Sequence, residues 1–354
     1  MRYSALNMGE TKKQVVAIGG GTGTHTVLRG LTKYQKQLAI TAIVTMADSG
    51  GSTGRLRDEF GYLPVGDVRM ALAALASNVD AHEELVRELF LYRFNKGNGL
   101  SGHNFGNLLL VALTDILGSE EAAIRAAARV LRVRGQVIPV TTAQVDLVAT
   151  YDDGVVVTGE HDIDEPAAAR AAHRIVDLAV TPEATISDAA EHAILDADCI
   201  VLGPGDLYTS VLANVVVGGV PEALRNSPGQ LVYITNLMTK HGQTDGMGVA
   251  AHVAELTRYI GRSPDVILVN TTPLPPELLA RYAAEGEYPI VFDYEERAAR
   301  VVPADLLANE VIETASGDVL KRSLIRHDSR KLARKLLDIM SPHQALPMTH
   351  AVST

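Results

Sequence analysis

A chain of 354 residues that is 47% hydrophobic and 21% charged is long and apolar enough for one large α/β core, and none of its apolar runs reaches the roughly 18 residues a membrane helix needs. A net charge of −10, no tryptophan and 5% aromatics leave neither a positive field for a phosphate backbone nor flat rings for bases, so nucleic acid is excluded as the main partner. The single cysteine, Cys199, excludes a disulfide within the chain and a cysteine-based zinc site; inside the apolar run Cys199-Ile200-Val201-Leu202 it reads as a buried structural thiol.

Residues 1–13 are polar, lack the apolar core of a signal peptide and read as a disordered leader. A strand over 14–18 then breaks into Gly19-Gly20-Gly21-Thr22-Gly23-Thr24 and continues as a helical pattern. Glycine admits positive φ and close approach of backbone to a ligand, and the free N–H groups of the helix start attract an anion. A second strand, 40–46, leads into Ala47-Asp48-Ser49-Gly50-Gly51-Ser52-Thr53-Gly54-Arg55. Successive N–H groups there form an anion nest, hydroxyls add donors, and Arg55 or Arg57 can pair a phosphate oxygen. Two such loops on adjacent strands suggest a diphosphate.

A nicotinamide cofactor is the rival reading, because Asp48 follows the first loop by about 25 residues, near the distance of a ribose-binding acid. The spacing G-x-G-x-x-G is not met, however. Counting from Gly19 the last position is Thr24, and from Gly21 it is Thr26. No Gly-Lys-Ser/Thr follows either loop, which removes the ATP-binding P-loop as well.

A helical block over 67–132 follows, its leucines spaced to bury one face. Within it, Leu100-Ser101-Gly102-His103-Asn104-Phe105-Gly106-Asn107 places Asn104 and Asn107 on one face of a helix start. A strand at 135–140 precedes 143–180, where Asp152-Asp153-Gly154 between two apolar runs predicts an accessory antiparallel hairpin. The acidic run Glu160, Asp162, Asp164, Glu165, with His161, could hold a cation but reads first as a solvated loop. Strands at 198–202, 230–235 and 265–270 end in polar loops, among them Gly203-Pro204-Gly205-Asp206-Leu207-Tyr208-Thr209-Ser210, whose Asp206 can cap a helix, and Asn236-Leu237-Met238-Thr239. A last amphipathic helix, capped by Asp328 or Ser329, carries Leu332, Leu336, Ile339 and Met340 on one face, and residues 342–354 read as a disordered tail.

Strands alternating with helices predict one α/β domain over 14–341, doubly wound around a mostly parallel sheet, with the hairpin as an accessory. Ligands in such folds sit at the carboxyl ends of the strands, where these glycine-rich loops lie. No H-E-x-x-H or paired-cysteine motif occurs. Asp48 and Asp67 are the carboxylates beside the anion loops. They are the catalytic candidates if the chain is a transferase, and one Mg²⁺ held by a carboxylate and a diphosphate is ordinary chemistry there.

Together these segments, with Pro64-Val65-Gly66-Asp67-Val68-Arg69, resemble the YvcK family of gluconeogenesis factors, within the larger group that includes 2-phospho-L-lactate transferase (CofD). The resemblance covers roughly 14–340 and implies a Rossmann-like, cytoplasmic bacterial protein. It implies binding of UDP-sugars such as UDP-N-acetylglucosamine and a role in cell-envelope synthesis and morphogenesis during gluconeogenic growth, with no cofactor required beyond a Mg²⁺ accompanying the nucleotide. Carried onto this chain, Gly19 to Thr24, Ser49 to Thr53 and Arg55 would hold the nucleotide and its phosphates. Asp48, Asp67, Asn104, Asn107, Gly203, Gly205, Tyr208, Thr209, Ser210, Asn236 and Thr239 would complete the ligand site. Transferases of the group commonly show an Asp-Asp pair where this chain has Asp48-Ser49, which favours a sensor over a phospho-group transferase. The sequence leaves open a homo-oligomer and envelope-regulating protein partners.

Overall fold

The computed structural model describes residues 11–77, 80–295, 298–309 and 324–341. The leader before residue 11 and the tail 342–354 lie outside them. A central sheet is formed by β1 (Lys13–Ile18), β2 (Leu38–Val44), β3 (Gln136–Pro139), β7 (Cys199–Leu202), β8 (Gln230–Ile234), β9 (Val266–Asn270) and β10 (Arg300–Ala304). A smaller sheet holds β4 (Asp146–Tyr151), β5 (Val156–Thr158) and β6 (Ile175–Thr181).

The central order is β10-β9-β8-β7-β1-β2-β3, and every pair is parallel. Helices cover both faces of a parallel sheet, so its strands read as unbroken apolar runs, and Cys199 to Leu202 are all buried. Burial pushes the Cys199 thiol up to about 12, which leaves it inert as expected. From β1 the chain winds through β2 to β3 on one side and from β7 to β10 on the other. That reversal between β1 and β7 is a topological switch point, where the turns after neighbouring strands diverge and leave a crevice.

The helices are α1 (Gly21–Leu31), α2 (Gly51–Phe60), α3 (Gly66–Leu75), α4 (Ala81–Leu91), α5 (Phe105–Leu117), α6 (Glu120–Val130), α7 (Glu160–Asp164), α8 (Asp188–Leu195), α9 (Ala213–Val215), α10 (Val220–Asn226), α11 (Val249–Ile260), α12 (Pro276–Ala283) and α13 (Ser329–Met340). On α13 the predicted apolar stripe is buried, and the Arg330 and Lys331 N–H groups donate to Asp328 Oδ1 at 2.7 and 2.9 Å, making Asp328 the cap. The contact of α13 with α1 depends on Gly30, since a Cβ there would collide with the Ser329 carbonyl.

The accessory unit is larger than a hairpin. β4 and β5 pair antiparallel around Gly154 (φ +82°), and β6 adds a third strand to β4, giving the order β5-β4-β6. β10 lies beyond the expected strands. It contains Pro303, which lacks a ladder donor and is tolerated because the strand is at the sheet edge.

Candidate nucleotide-diphosphate site

Two helix starts converge on the crevice, and they are built alike. The turn after β1 ends at Gly20, and α1 begins at Gly21 with φ +62°; the turn after β2 ends at Gly50, and α2 begins at Gly51 with φ +47°. A Cβ on either Gly21 or Gly51 would meet nothing within 4 Å, so both face open space. Their neighbours have no such room. A Cβ on Gly20 would strike Asp67, one on Gly66 would strike Asp48, and one on Gly23 would strike the Pro204 carbonyl.

Each start carries a carboxylate. Gly21 N–H donates to Asp67 Oδ1 (2.8 Å) and Gly50 N–H to Asp48 Oδ1 (2.9 Å). Both acids are half-buried. Burial first, and then the neighbouring Asp48 charge, pushes Asp67 up to about 7. Asp48 is also raised by burial, against the pull of the Gly50 N–H and the Thr53 hydroxyl.

A third carboxylate comes from an unexpected place. The acidic run 160–165 folds as α7 at the edge of the accessory unit, with Glu160 turned toward the crevice and not into solvent. The His161 N–H donates to Ser49 Oγ (3.0 Å), and Glu160 is pushed up to about 9 by burial and by Asp48, Asp164 and Asp67. A residue at Gly50 would touch both acids, its Cβ 3.5 Å from Asp48 Oδ1 and 3.9 Å from Glu160 Oε2. Carboxylates are hard oxygen donors of the kind a divalent cation such as Mg²⁺ takes, although among the described residues the three that close on one another within 4.8 Å are Asp152, Asp153 and His173 and not these.

The other expected residues divide into two groups. Gly19 packs against the buried Thr24, whose hydroxyl has no partner, and Thr22 is exposed. Asn236 ties the loops after β7 and β8 together, since its Nδ2 donates to the Gly205 carbonyl (2.8 Å) and its Oδ1 accepts from Gly205 N–H (3.2 Å). Gly203 (φ +73°) and Ser210 belong to this wall. Arg55 is exposed on α2, with its guanidinium 3.4 Å from the Ser101 carbonyl.

Several residues are consumed inside the protein. Asn104 caps α5 by accepting from Gly106 N–H (2.9 Å), while Asn107 accepts from Arg69 Nε (2.8 Å) and donates to Ser52 Oγ (3.3 Å). The two do not present one face: Asn104 stands just before the helix with its Nδ2 donating to the Leu91 carbonyl, and Asn107 turns to Ser52 and Arg69 in the interior. Tyr208 is buried and donates to Glu255 (3.1 Å), and Thr239 Oγ1 accepts from Tyr288 N–H (2.9 Å). Arg57 pairs with Asp146 at 2.7 Å, fastening α2 to the accessory sheet. Asp206 caps nothing. Residues Leu207–Leu212 form a π-helical turn without a side-chain cap, and the Asp206 carboxyl, pushed up to about 6 by burial and by Asp164, sits beside Lys240.

An acid whose pKa rises on folding holds more protons folded than unfolded, so stability falls as pH climbs between the two values. For Asp67 that window runs from its ordinary 3.8 to about 7. Asp67→Asn keeps an acceptor for Gly21 and removes the charge. Its melting temperature is expected to exceed that of the unmodified chain by on the order of 5 °C at pH 8, with the gap closing toward pH 4. Equal gaps at both pH values in thermal melts would mean Asp67 is not strained by its setting.

A doubly wound α/β protein with paired helix starts and carboxylates at its switch point is a fold built to present a polar ligand to backbone amides. The chain belongs to the 2-phospho-L-lactate transferase CofD family, whose model matches residues 15–307. It is 42% identical over 332 residues to the gluconeogenesis factor of Bacillus subtilis (strain 168), an alignment spanning 93% of this chain and 98% of that one. It is 41% identical over 330 residues to the gluconeogenesis factor of Halalkalibacterium halodurans, covering 92% and 96%. A crystal structure of a member of the UPF0052 family from Bacillus halodurans superposes with a TM-score of 0.82 at 38% identity, covering 93% of this chain and all of that one. No helix among the described residues is long and apolar enough to cross a membrane.

Proposed function

We propose that this protein is a cytoplasmic UDP-sugar-binding regulator, with UDP-N-acetylglucosamine as ligand, that supports cell-envelope synthesis and cell shape during gluconeogenic growth. The observation that carries the reading is the pair of open glycine starts, Gly21 and Gly51, facing one crevice at the switch point. Backbone N–H groups of Thr22 and Gly23 and of Gly51 to Thr53 would hold the two phosphates, each near a positive helix end. Asp48 and Asp67 would share a Mg²⁺ with the diphosphate, which neutralises the acids that otherwise repel it. The two relatives named gluconeogenesis factor support the link to gluconeogenic growth.

A transferase is the second reading, favoured by Glu160. The group's transferases commonly carry a second aspartate where this chain has Ser49, and α7 returns a carboxylate to the same neighbourhood. Two measurements separate the readings. Titration calorimetry with UDP-N-acetylglucosamine, GDP and NAD should show a clear preference for the first. Long incubation of UDP-N-acetylglucosamine with the protein and Mg²⁺ should leave it unchanged by mass spectrometry. Release of a nucleotide that disappears in Asp48→Ala would make the protein a transferase.

A further inference from the structure

Beside the crevice, at the junction of α7 with the loops after β7 and β8, lies a polar cluster that phosphate binding does not use. Asp164 is its hub. Its Oδ1 accepts from Thr209 Oγ1 and from Gln243 Nε2, both at 3.0 Å, and its Oδ2 lies 3.5 Å from Lys240 Nζ. Asp206 stands against Asp164 and Lys240. Gln243 is 4% exposed, and its Oε1 is buried with no hydrogen-bond partner. An orphaned buried carbonyl is expensive, and inside a polar cluster it marks a place where a donor is missing.

We propose that this cluster is the subsite for the hydroxyl-bearing group attached to the diphosphate, the sugar of the nucleotide sugar. The inference rests on the nucleotide-diphosphate reading and deepens it. Position supports it, because Asp206 directly follows Gly205, which Asn236 holds in the crevice wall, and a Cβ on Gly205 would lie 3.8 Å from the Gly20 carbonyl. Chemistry selects the occupant. Asp206 and Gln243 Oε1 offer acceptors and Lys240 offers donors, a mixture that suits groups able to donate and accept at once. A third phosphate would be repelled by the two carboxylates, and an apolar group would leave Gln243 Oε1 unpaired.

The alternative is that the cluster only straps α7 to the central sheet. Calorimetry of the full chain with Mg²⁺, using UDP and UDP-N-acetylglucosamine as probes, distinguishes the two. Gln243→Ala should weaken UDP-N-acetylglucosamine at least about fivefold and leave UDP within about twofold, as expected for loss of a contact made only to the sugar. Lys240→Met should behave the same way and serves as the second variant if Gln243→Ala lowers the melting temperature. Equal weakening of both ligands, or no change in either, would overturn the subsite and leave the strap. If the unmodified chain binds neither UDP nor UDP-N-acetylglucosamine, the nucleotide reading itself fails and the subsite falls with it.

Discussion

Gly21→Val is expected to abolish detectable UDP-N-acetylglucosamine binding, weakening it at least about a hundredfold, in a protein that still folds. Gly21 has φ +62° and no atom within 4 Å of where a Cβ would stand, so a valine there enters open space and fills the volume assigned to phosphate. The left-handed backbone costs a β-branched residue about 1–2 kcal/mol, well inside the roughly 5–15 kcal/mol that holds a typical protein folded. Gly20 and Gly23 could not serve, because side chains there would strike Asp67 and the Pro204 carbonyl and damage the loop itself. Gly61 supplies the control. It has φ +70° and equal open space, but it ends α2 at the far side from the crevice. Gly61→Val should lose comparable stability in thermal melts and keep binding in calorimetry. If the two variants bind alike, the diphosphate does not lie on the start of α1.

What could be read from the sequence was what local periodicity and glycine placement encode. The apolar runs at 14–18, 198–202 and 230–235 announce strands because a parallel sheet buries both faces, and the glycine loops announce themselves because glycine takes φ +62° and +47° without the cost other residues bear. Contacts made at long range were hidden. Asn104 and Asn107 both mark the start of α5, but spacing cannot say that Asn104 turns back to cap the helix and bond Leu91 while Asn107 turns toward Ser52 and Arg69. Arg57 looked like a phosphate ligand until β4 brought Asp146 to it. Glu160 lies in a run of acids that composition leaves between a solvated loop and a cation site, with the loop favoured. Only the return of α7 over Ser49, 111 positions earlier than Glu160 (160 − 49), makes it part of the site. Its sole trace in the sequence is the acidic run itself, which is common on surfaces without any such role.

Asp48→Asn is expected to weaken Mg²⁺-dependent binding of UDP-N-acetylglucosamine by at least about tenfold, the consequence of removing one charged partner from a desolvated site. The substitution is nearly isosteric, and its carbonyl oxygen can still accept from Gly50 N–H, so the second loop keeps its turn. What changes is the charge that burial already strains in Asp48 and that Asp67 and Glu160 feel across the crevice. The effect should therefore depend on the metal. With Mg²⁺ present the asparagine is a poorer ligand and affinity falls, whereas in EDTA the lost negative charge no longer repels the diphosphate, so the variant should bind as well as the unmodified chain or better. Calorimetry in both conditions reads this crossover. A change of twofold or less with Mg²⁺ would reduce Asp48 to the cap of its own loop, and equal weakening with and without Mg²⁺ would place its contact on the ligand itself and not on a metal.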